Sequence, residues 1–383
     1  MNLLNSFSFE LPTKIEYGIG VSRKLAEALK ELKAEKVLVV SDKGIEAAGL
    51  LAGITNQLGQ GRLNFEIFCE VEPNPKDYNV IEGTKLAQRL QADCLVAVGG
   101  GSPIDCAKAI AVLATHGGEP REYEDQKKIT GEVLPLIAIP TTAGTGSEVT
   151  FSSVITDSRR KFKFSIHHTK IAPRMALLDP ELTATMPPDL TAATGMDALT
   201  HAVEGYTATA SEPLADAAAL YAIELISTYL IPAVFDGGNM EARAGMLLGS
   251  VLAGISFSHS DVAAVHCLAE ALGGKYDTAH GVCNAVVLPA VMEFNLAYCI
   301  DKYARIAAAM GIAYDTPQDG ARRAVETVRK IAREVKLPDF RSLGVKTEDM
   351  EELASNASIN GSNGSNPRPL TKGDYLTLIK NMM

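Results

Sequence analysis

The periodicity of this chain changes once, and that change limits its architecture more than any single residue. Up to Pro187-Pro188, short β-branched runs at 36–40, 65–69, 94–98 and 134–139 are each followed by turn residues, and segments 80–90 and 104–114 between them carry apolar residues at helical spacing. Parallel strands need a crossover, and a helical segment between two β-branched runs supplies it, so this half predicts βαβ units around a parallel sheet. After Pro187-Pro188 the β-branched runs stop. Ala- and Leu-rich segments of helical period continue to Tyr206 and through 215–229, 241–254 and 262–272, which predicts an all-helical second half. The expected division is residues 1–186 as an α/β domain and 187–383 as an all-α domain. A polar stretch at 356–366 reads as an ordered turn or a loop, and a last helix is expected from about Thr371 to Lys380.

The charge balance removes several function classes. With 46 acidic against 36 basic residues the formal charge is −10, which repels a phosphate backbone and an anionic membrane surface and leaves small-molecule chemistry. No apolar run reaches the ~18 residues of a membrane span, and residues 1–20 lack the basic start and unbroken apolar stretch of a signal peptide. Six cysteines are scattered without a CxxC pair in a chain large enough to fold without covalent staples, which predicts a reducing, cytoplasmic setting.

Two glycine-rich turns follow strands in the first half. In Gly99-Gly100-Gly101-Ser102-Pro103-Ile104-Asp105 the glycines let backbone N–H groups approach a pyrophosphate. Ser102 is placed to cap the following helix, Pro103 to begin it and Asp105 to lie in its first turn, with Ser102 and Asp105 counted among the cofactor-binding residues. The second, Pro140-Thr141-Thr142-Ala143-Gly144-Thr145-Gly146-Ser147-Glu148, is crowded with hydroxyls suited to phosphate or nicotinamide. Two cradles suit a dinucleotide. Asp42, just past the first of these runs, is placed to accept hydrogen bonds from a ribose 2′-OH and to repel a 2′-phosphate, or it is a plain turn residue. In the ordinary dinucleotide fingerprint the glycines precede the acid by ~20 residues; here Asp42 comes first, so the sheet is expected to be a variant.

In the helical half Asp197 and His201 stand four residues apart on one helix face, so both reach one cation. His266 and His280 are the next candidates. One carboxylate and three imidazoles make a mixed N/O site suited to Fe²⁺ or Zn²⁺ with coordination left for a substrate oxygen. Glu270, one turn after His266, competes for the same role, so spacing alone does not make the ligand set unique. Of the other histidines, His167-His168 beside Lys161 and Lys163 reads as a polar surface segment with Lys163 the better cofactor contact, His116 as solvated in a glycine-rich loop, and His259 as either pocket-lining or a helix-end surface residue.

These motifs, with Leu178-Asp-Pro-Glu-Leu182, Gly195-Met-Asp-Ala-Leu-Thr-His201 and His280-Gly-Val-Cys-Asn-Ala285, resemble the iron-containing (group III) alcohol dehydrogenases from about Leu11 to Arg368. The resemblance implies a dehydroquinate synthase-like pair of domains, a dinucleotide-binding α/β domain and an all-α metal domain. It places Asp197, His201, His266 and His280 on the family's metal ligands, Gly99, Gly100, Gly101 and Ser102 on the pyrophosphate loop, and Asp42 on the adenosine ribose. Thr141, Thr142, Thr145 and Ser147 fall on the second cradle, Lys163 on a ribose contact and Phe257 near the substrate. The chain departs from the family pattern at Glu270, where a second His is common, at His259, where Asn is common, and at Ala279, where Pro is usual.

The implied chemistry is hydride transfer between a small alcohol or aldehyde and NAD, with Fe²⁺ or Zn²⁺ acting as a Lewis acid and with Glu270, His280 and Phe257 as candidates for the catalytic surroundings. A homodimer or larger homo-oligomer is expected. Two rivals are a dehydroquinate synthase-like lyase, which needs a strongly basic pocket, and a degenerate nucleotide binder without turnover.

Overall fold

In the computed structural model, which describes residues 6–124 and 128–383, six parallel strands form the central sheet of the first half. They are β1 (Lys14–Tyr17), β2 (Lys36–Val40), β3 (Asn64–Phe68), β4 (Cys94–Gly99), β5 (Leu136–Pro140) and, after the antiparallel hairpin of β6 (Ser152–Asp157) and β7 (Phe162–His167), β8 (Met175–Leu178). Their spatial order is β1-β8-β5-β4-β2-β3. Strands covered on both faces read as continuous apolar runs, and the alternation of side chains then divides one run between two layers. Val37, Val39, Val96, Val98, Ile137 and Ile139 pack with Leu25 and Leu29 of α1 (Leu25–Glu31) and, beyond α2 (Lys43–Ala47), with Ile54 and Leu58 of α3 (Leu51–Gln60). Leu38, Val40, Leu95, Ala97, Leu136 and Ala138 face the other way, onto Val80 of α4 (Asp77–Leu90) and Ile104, Ile110 and Leu113 of α5 (Gly101–His116).

The sequence reading anticipated β2 to β5 and missed β1, β8 and the hairpin. Strand β1 lies at the sheet edge with both ends exposed, so it lacks the apolar run that marks its neighbours. The segment read as polar surface is β7, in which Lys163 is buried and donates to Asn74 Oδ1 at 2.8 Å. His116 ends α5 rather than lying in the loop, half-buried, and its Nδ1 and Nε2 bond with Thr115 Oγ1 at 2.7 Å and Gly131 N at 3.2 Å.

The second half consists of α6 (Pro188–Thr207), α7 (Pro213–Phe235), α8 (Met240–Ser260), α9 (Ala264–Tyr276), α10 (His280–Asn295), α11 (Ile300–Ala309), α12 (Pro317–Glu334), α13 (Met350–Ile359) and α14 (Lys372–Met382). Helix α6 is buried almost throughout and packs on α7, α8 and α10, while α9 packs on α10 and α13. Its Gly195 makes room for Leu230 of α7 and Met246 of α8. By length and composition Pro213–Phe235 and His280–Tyr298 are apolar enough to cross a membrane, contrary to the expectation that no such stretch exists; each helix packs here against its neighbours in the helical unit. The 356–366 stretch is ordered: α13 runs into it, one further helical turn spans Gly361–Ser365, and Ser362 and Ser365 donate to Asp261 at 2.9 and 2.6 Å.

By their internal contacts residues 10–142 and 146–186 form one unit, and 6–9, 143–145 and 187–383 the other. The middle of the second glycine-rich turn, Ala143–Thr145, thus belongs with the helices.

Candidate active site

In the α/β unit, β2, β4 and β5 are neighbours, so their C-terminal ends bring Asp42, Gly99 and Thr141 together. That edge of a parallel sheet is where such folds bind ligands. It also resolves the reversed chain order, because adjacency in the sheet does not require adjacency in sequence. Thr141 N donates to Gly99 O at 3.0 Å. Gly99 has φ +149°, and a Cβ there would come 2.6 Å from the Pro103 ring and 3.4 Å from Asp42 Oδ2; one at Gly100 would meet Thr142 Oγ1 at 3.0 Å. Side chains are thus excluded where a pyrophosphate needs bare backbone. The buried hydroxyl of Thr141 has no partner among the described residues, as expected of a group kept for a ligand. Asp42 caps α2, its Oδ1 accepting from Ile45 N at 2.9 Å.

The start of α5 corrects the sequence reading. The helix begins at Gly101 with Gly100 at the cap, so Ser102 is inside it and Asp105 lies beyond the first turn. Both oxygens of the Asp105 carboxylate have partners within the protein. Its Oδ1 accepts from Ser147 Oγ and its Oδ2 from Val154 N at 3.0 Å. Lys108, fully buried one turn later, donates to Ser147 Oγ, Thr150 Oγ1 and the Ser152 carbonyl at 3.0, 2.8 and 2.7 Å. Burial pulls its ammonium down to about 8 against the opposing charges of Asp105 and Glu148. Burial likewise pushes the Glu148 carboxyl up to about 7. Ser147 is therefore held between a half-buried carboxylate, Asp105, and a buried amine, Lys108.

In the helical unit, single ligand atoms of Asp197, His201, His266 and His280 all lie within 4.8 Å of one another. Three helices supply them: α6 carries Asp197 and His201 one turn apart, α9 presents His266, and His280 opens α10. The approach of α10 depends on Gly281, where a Cβ would meet the Ala193 carbonyl of α6 at 2.6 Å. Burial pushes the Asp197 carboxyl up, but His201, His280 and His266 and a hydrogen bond from Asn284 outweigh it and hold it below the usual carboxylate range. Burial pulls His201 down to about 4. Burial also lowers His266, yet its hydrogen bond to Glu204 and the nearby acidic charges leave it raised. An ionised carboxylate with a neutral imidazole is the donor chemistry a divalent ion requires.

Of the other expected residues, Phe257 stacks on His201 at 4.4 Å between ring centroids. Glu270 lies on α9 one turn beyond His266 and accepts from Asn360 Nδ2 at 2.6 Å. His259 stacks on Phe9 at 4.1 Å and bonds the Ile255 carbonyl. Thr145 belongs to the helical unit, whereas Thr141, Thr142 and Ser147 belong to the α/β unit; beside Thr145, Gly144 packs on Thr194.

The sequence reading missed Glu204 and Asn284. Asn284 Nδ2 lies 2.6 Å from Asp197 Oδ1 and 3.0 and 3.2 Å from the Nε2 atoms of His266 and His280, while its buried Oδ1 has no partner among the described residues. Glu204 Oε2 accepts from His266 Nδ1 at 2.5 Å. Glu204 closes the motif that contains Asp197 and His201, and an acid three residues after His201 on the same helix face was the available signal.

Comparison with known proteins agrees along the whole chain. Residues 12–180 match the family model for iron-containing alcohol dehydrogenase, and 191–383 match the C-terminal model of the same family. The chain is 40% identical to a choline dehydrogenase of Bacillus subtilis (strain 168), covering 97% of this chain and 94% of that protein. It is 38% identical to an NAD-dependent methanol dehydrogenase of Bacillus methanolicus, covering 98% and 100%. Among solved structures, a 1,3-propanediol oxidoreductase superposes with a TM-score of 0.95 at 38% identity, covering 99% of this chain and 100% of the other. Matches to both family models, reaching all four clustered ligand residues and both glycine-rich turns, show that the chain belongs to the iron-containing alcohol dehydrogenases, metal-binding oxidoreductases of the alcohol dehydrogenase type.

Proposed function

We propose that this protein interconverts a small alcohol and its aldehyde with NAD, using one divalent ion, Fe²⁺ or Zn²⁺, held by Asp197, His201, His266 and His280. The observation that carries this reading is the convergence of one carboxylate and three imidazoles within 4.8 Å. When bound, the ion supplies Lewis acidity toward the alcohol oxygen and NAD supplies the hydride acceptor. Asp197 contributes the one negative charge of the set. His201, neutral near pH 7, presents a lone pair, and Phe257 lies flat on its ring and keeps water from that side. The His280 side chain is 27% exposed against 3% for Asp197 and 5% for His266, which makes its side the open face of the cluster for the substrate.

The glycines 99–101 take the pyrophosphate and the Thr141 hydroxyl offers a buried contact to the same cofactor. Asp42 supports NAD over NADP, since a carboxylate beside Gly99 accepts from a ribose 2′-OH and repels a 2′-phosphate. The three similar proteins named above act on three different alcohols, so the substrate is placed only as a short alcohol, diol or aldehyde. The test strips the enzyme of metal, reloads it with Fe²⁺, Zn²⁺ or Mg²⁺ and follows NADH absorbance across a panel of such compounds. Turnover restored by Fe²⁺ or Zn²⁺ is expected; full turnover after complete stripping overturns the reading.

We further place the protein in a reducing, cytoplasmic setting, supported by six free and buried cysteines, and read it as a homo-oligomer, as the family resemblance implies. Sedimentation as a monomer at micromolar concentration would remove the second of these.

A further inference from the structure

We propose that Glu204 sets the metal affinity of the cluster by locking the His266 ring with Nε2 turned toward Asp197, His201 and His280. The proposal rests on the metal reading above, and it concerns a residue outside the four ligands. Glu204 stands on α6 three residues after His201, so it shares that ligand's face of the helix. It is 3% exposed, and both of its carboxylate oxygens are committed. Oε2 accepts from His266 Nδ1 at 2.5 Å, and Oε1 accepts from the backbone N of Val265 at 2.7 Å.

A carboxylate offers acceptors only. The proton of the neutral His266 ring is therefore on Nδ1, and the lone pair is on Nε2. That Nε2 lies 3.0 Å from His201 Nε2, inside the cluster. In water the two tautomers of an imidazole interconvert and its ring turns freely; here one bond selects both the tautomer and the rotamer. The second bond holds the backbone to which the ring is attached. Helix α9 receives no cap from the side chain of its own Ala263, and Val265 N, in its first turn, is satisfied from α6 instead. One side chain therefore fixes the ring and the helix start that carries it to the helix that supplies two other ligands. Glu204 is in this sense a positioning residue: its effect reaches the ion only through His266.

The two bonds make the proposal testable against a purely structural role. A glutamine has one acceptor oxygen, so Glu204→Gln keeps the volume but cannot accept from Val265 N and from a proton on His266 Nδ1 together: either one bond is lost, or the amide NH2 faces Nδ1 and favours the tautomer with its proton on Nε2, while Glu204→Ala loses both. The experiment titrates stripped full-length protein with Co²⁺ and with Zn²⁺ in competition with a chromophoric chelator, records the visible spectrum of the Co²⁺ form, and checks each stripped variant by circular dichroism. We expect affinity to fall about 10- to 100-fold in Glu204→Ala and by less in Glu204→Gln, as for other groups that orient a ligating His. The Co²⁺ absorption should change shape in Glu204→Ala as the imidazole loses its fixed orientation. Variants that fold, melt earlier and yet keep the wild-type affinity and Co²⁺ spectrum would show a helix cap and nothing more, and would overturn the proposal. If Glu204→Ala does not fold, the glutamine variant decides alone, an unchanged affinity and spectrum again overturning it. A wild-type protein that binds neither ion would overturn the metal reading itself, an outcome distinct from failure of the Glu204 assignment.

Discussion

Three imidazoles and a carboxylate within 4.8 Å cannot all carry charge, and burial decides which do not. His201 shows the consequence. Its folded value of about 4 lies below the ordinary 6.5, so between those values the unfolded chain binds a proton that the folded chain does not. Stability of the metal-free protein therefore falls as pH drops from about 6.5 to about 4, by on the order of 3 kcal/mol from this residue. His266 has the opposite sign: raised in the fold, its contribution is present below 6.5 and is lost as pH rises through its folded value. Urea midpoints of stripped protein across pH 4 to 7 should follow the His201 slope, and His201→Asn should flatten it; equal slopes would mean that the acid sensitivity originates elsewhere. At the cofactor end, one oxygen of Asp42 caps α2 and the other lies beside Gly99. Asp42→Gly removes the carboxylate that opposes a 2′-phosphate, and the ratio of kcat/KM for NAD over NADP should fall about 10-fold or more, on the scale of one lost charge-assisted interaction. A native enzyme indifferent to the two cofactors would refute the assignment whatever the variant did.

At the scale of elements, α6 holds the metal cluster together because small residues let other helices approach it closely. Gly281 is the tightest such point on α10: a methyl group there would fall 2.6 Å from the Ala193 carbonyl, which is backbone and cannot turn aside. Gly281→Ala should push the first turn of α10 away from α6, cost roughly 1–3 kcal/mol as an overpacked core position and, because His280 is the adjacent residue, weaken metal binding as well. Chelator competition and thermal melting measure the two effects; a variant with wild-type values for both would show that the contact relaxes freely. The same element explains what the sequence disclosed. Asp197 and His201 were legible because a helix repeats every four residues, and β2, β4 and β5 because a doubly covered strand leaves an apolar run. Glu204 and Asn284 were not singled out, since their roles depend on which helix lies opposite. The partners of Asp105 were not legible for a related reason: Ser147 and Val154 lie more than forty residues away, where no local spacing rule reaches. Strand β1 escaped because a four-residue edge strand, half-buried in its middle and exposed at both ends, resembles ordinary surface.

At the scale of the whole molecule, the two ligand chemistries fall in different units. The glycines 99–101, Asp42 and the Lys108 network belong to the α/β unit, and Asp197, His201, His266 and His280 to the helical one. A bound ion stabilises only the state that holds it, by RT ln(1 + [L]/Kd), or about 4 kcal/mol at a thousandfold excess over Kd. Its loss should therefore be felt first by the elements that carry the ligands. Amide hydrogen exchange on the intact protein, with metal and after chelation, reads this segment by segment. Chelation is expected to speed exchange in α6, in the first turns of α9 and α10 and at Val265, whose N–H is held by Glu204, while β2, β4 and β5 stay protected. Addition of NAD without metal should do the reverse, slowing exchange around Gly99 to Gly101 and Thr141 and leaving α9 as it was. The division at Pro187 is then a thermodynamic proposal as well as a geometric one. If chelation deprotected the central strands to the same degree as α6, the two halves would unfold as a single cooperative unit, and the separation of cofactor and metal chemistry would describe where the residues lie without describing how the protein is stabilised.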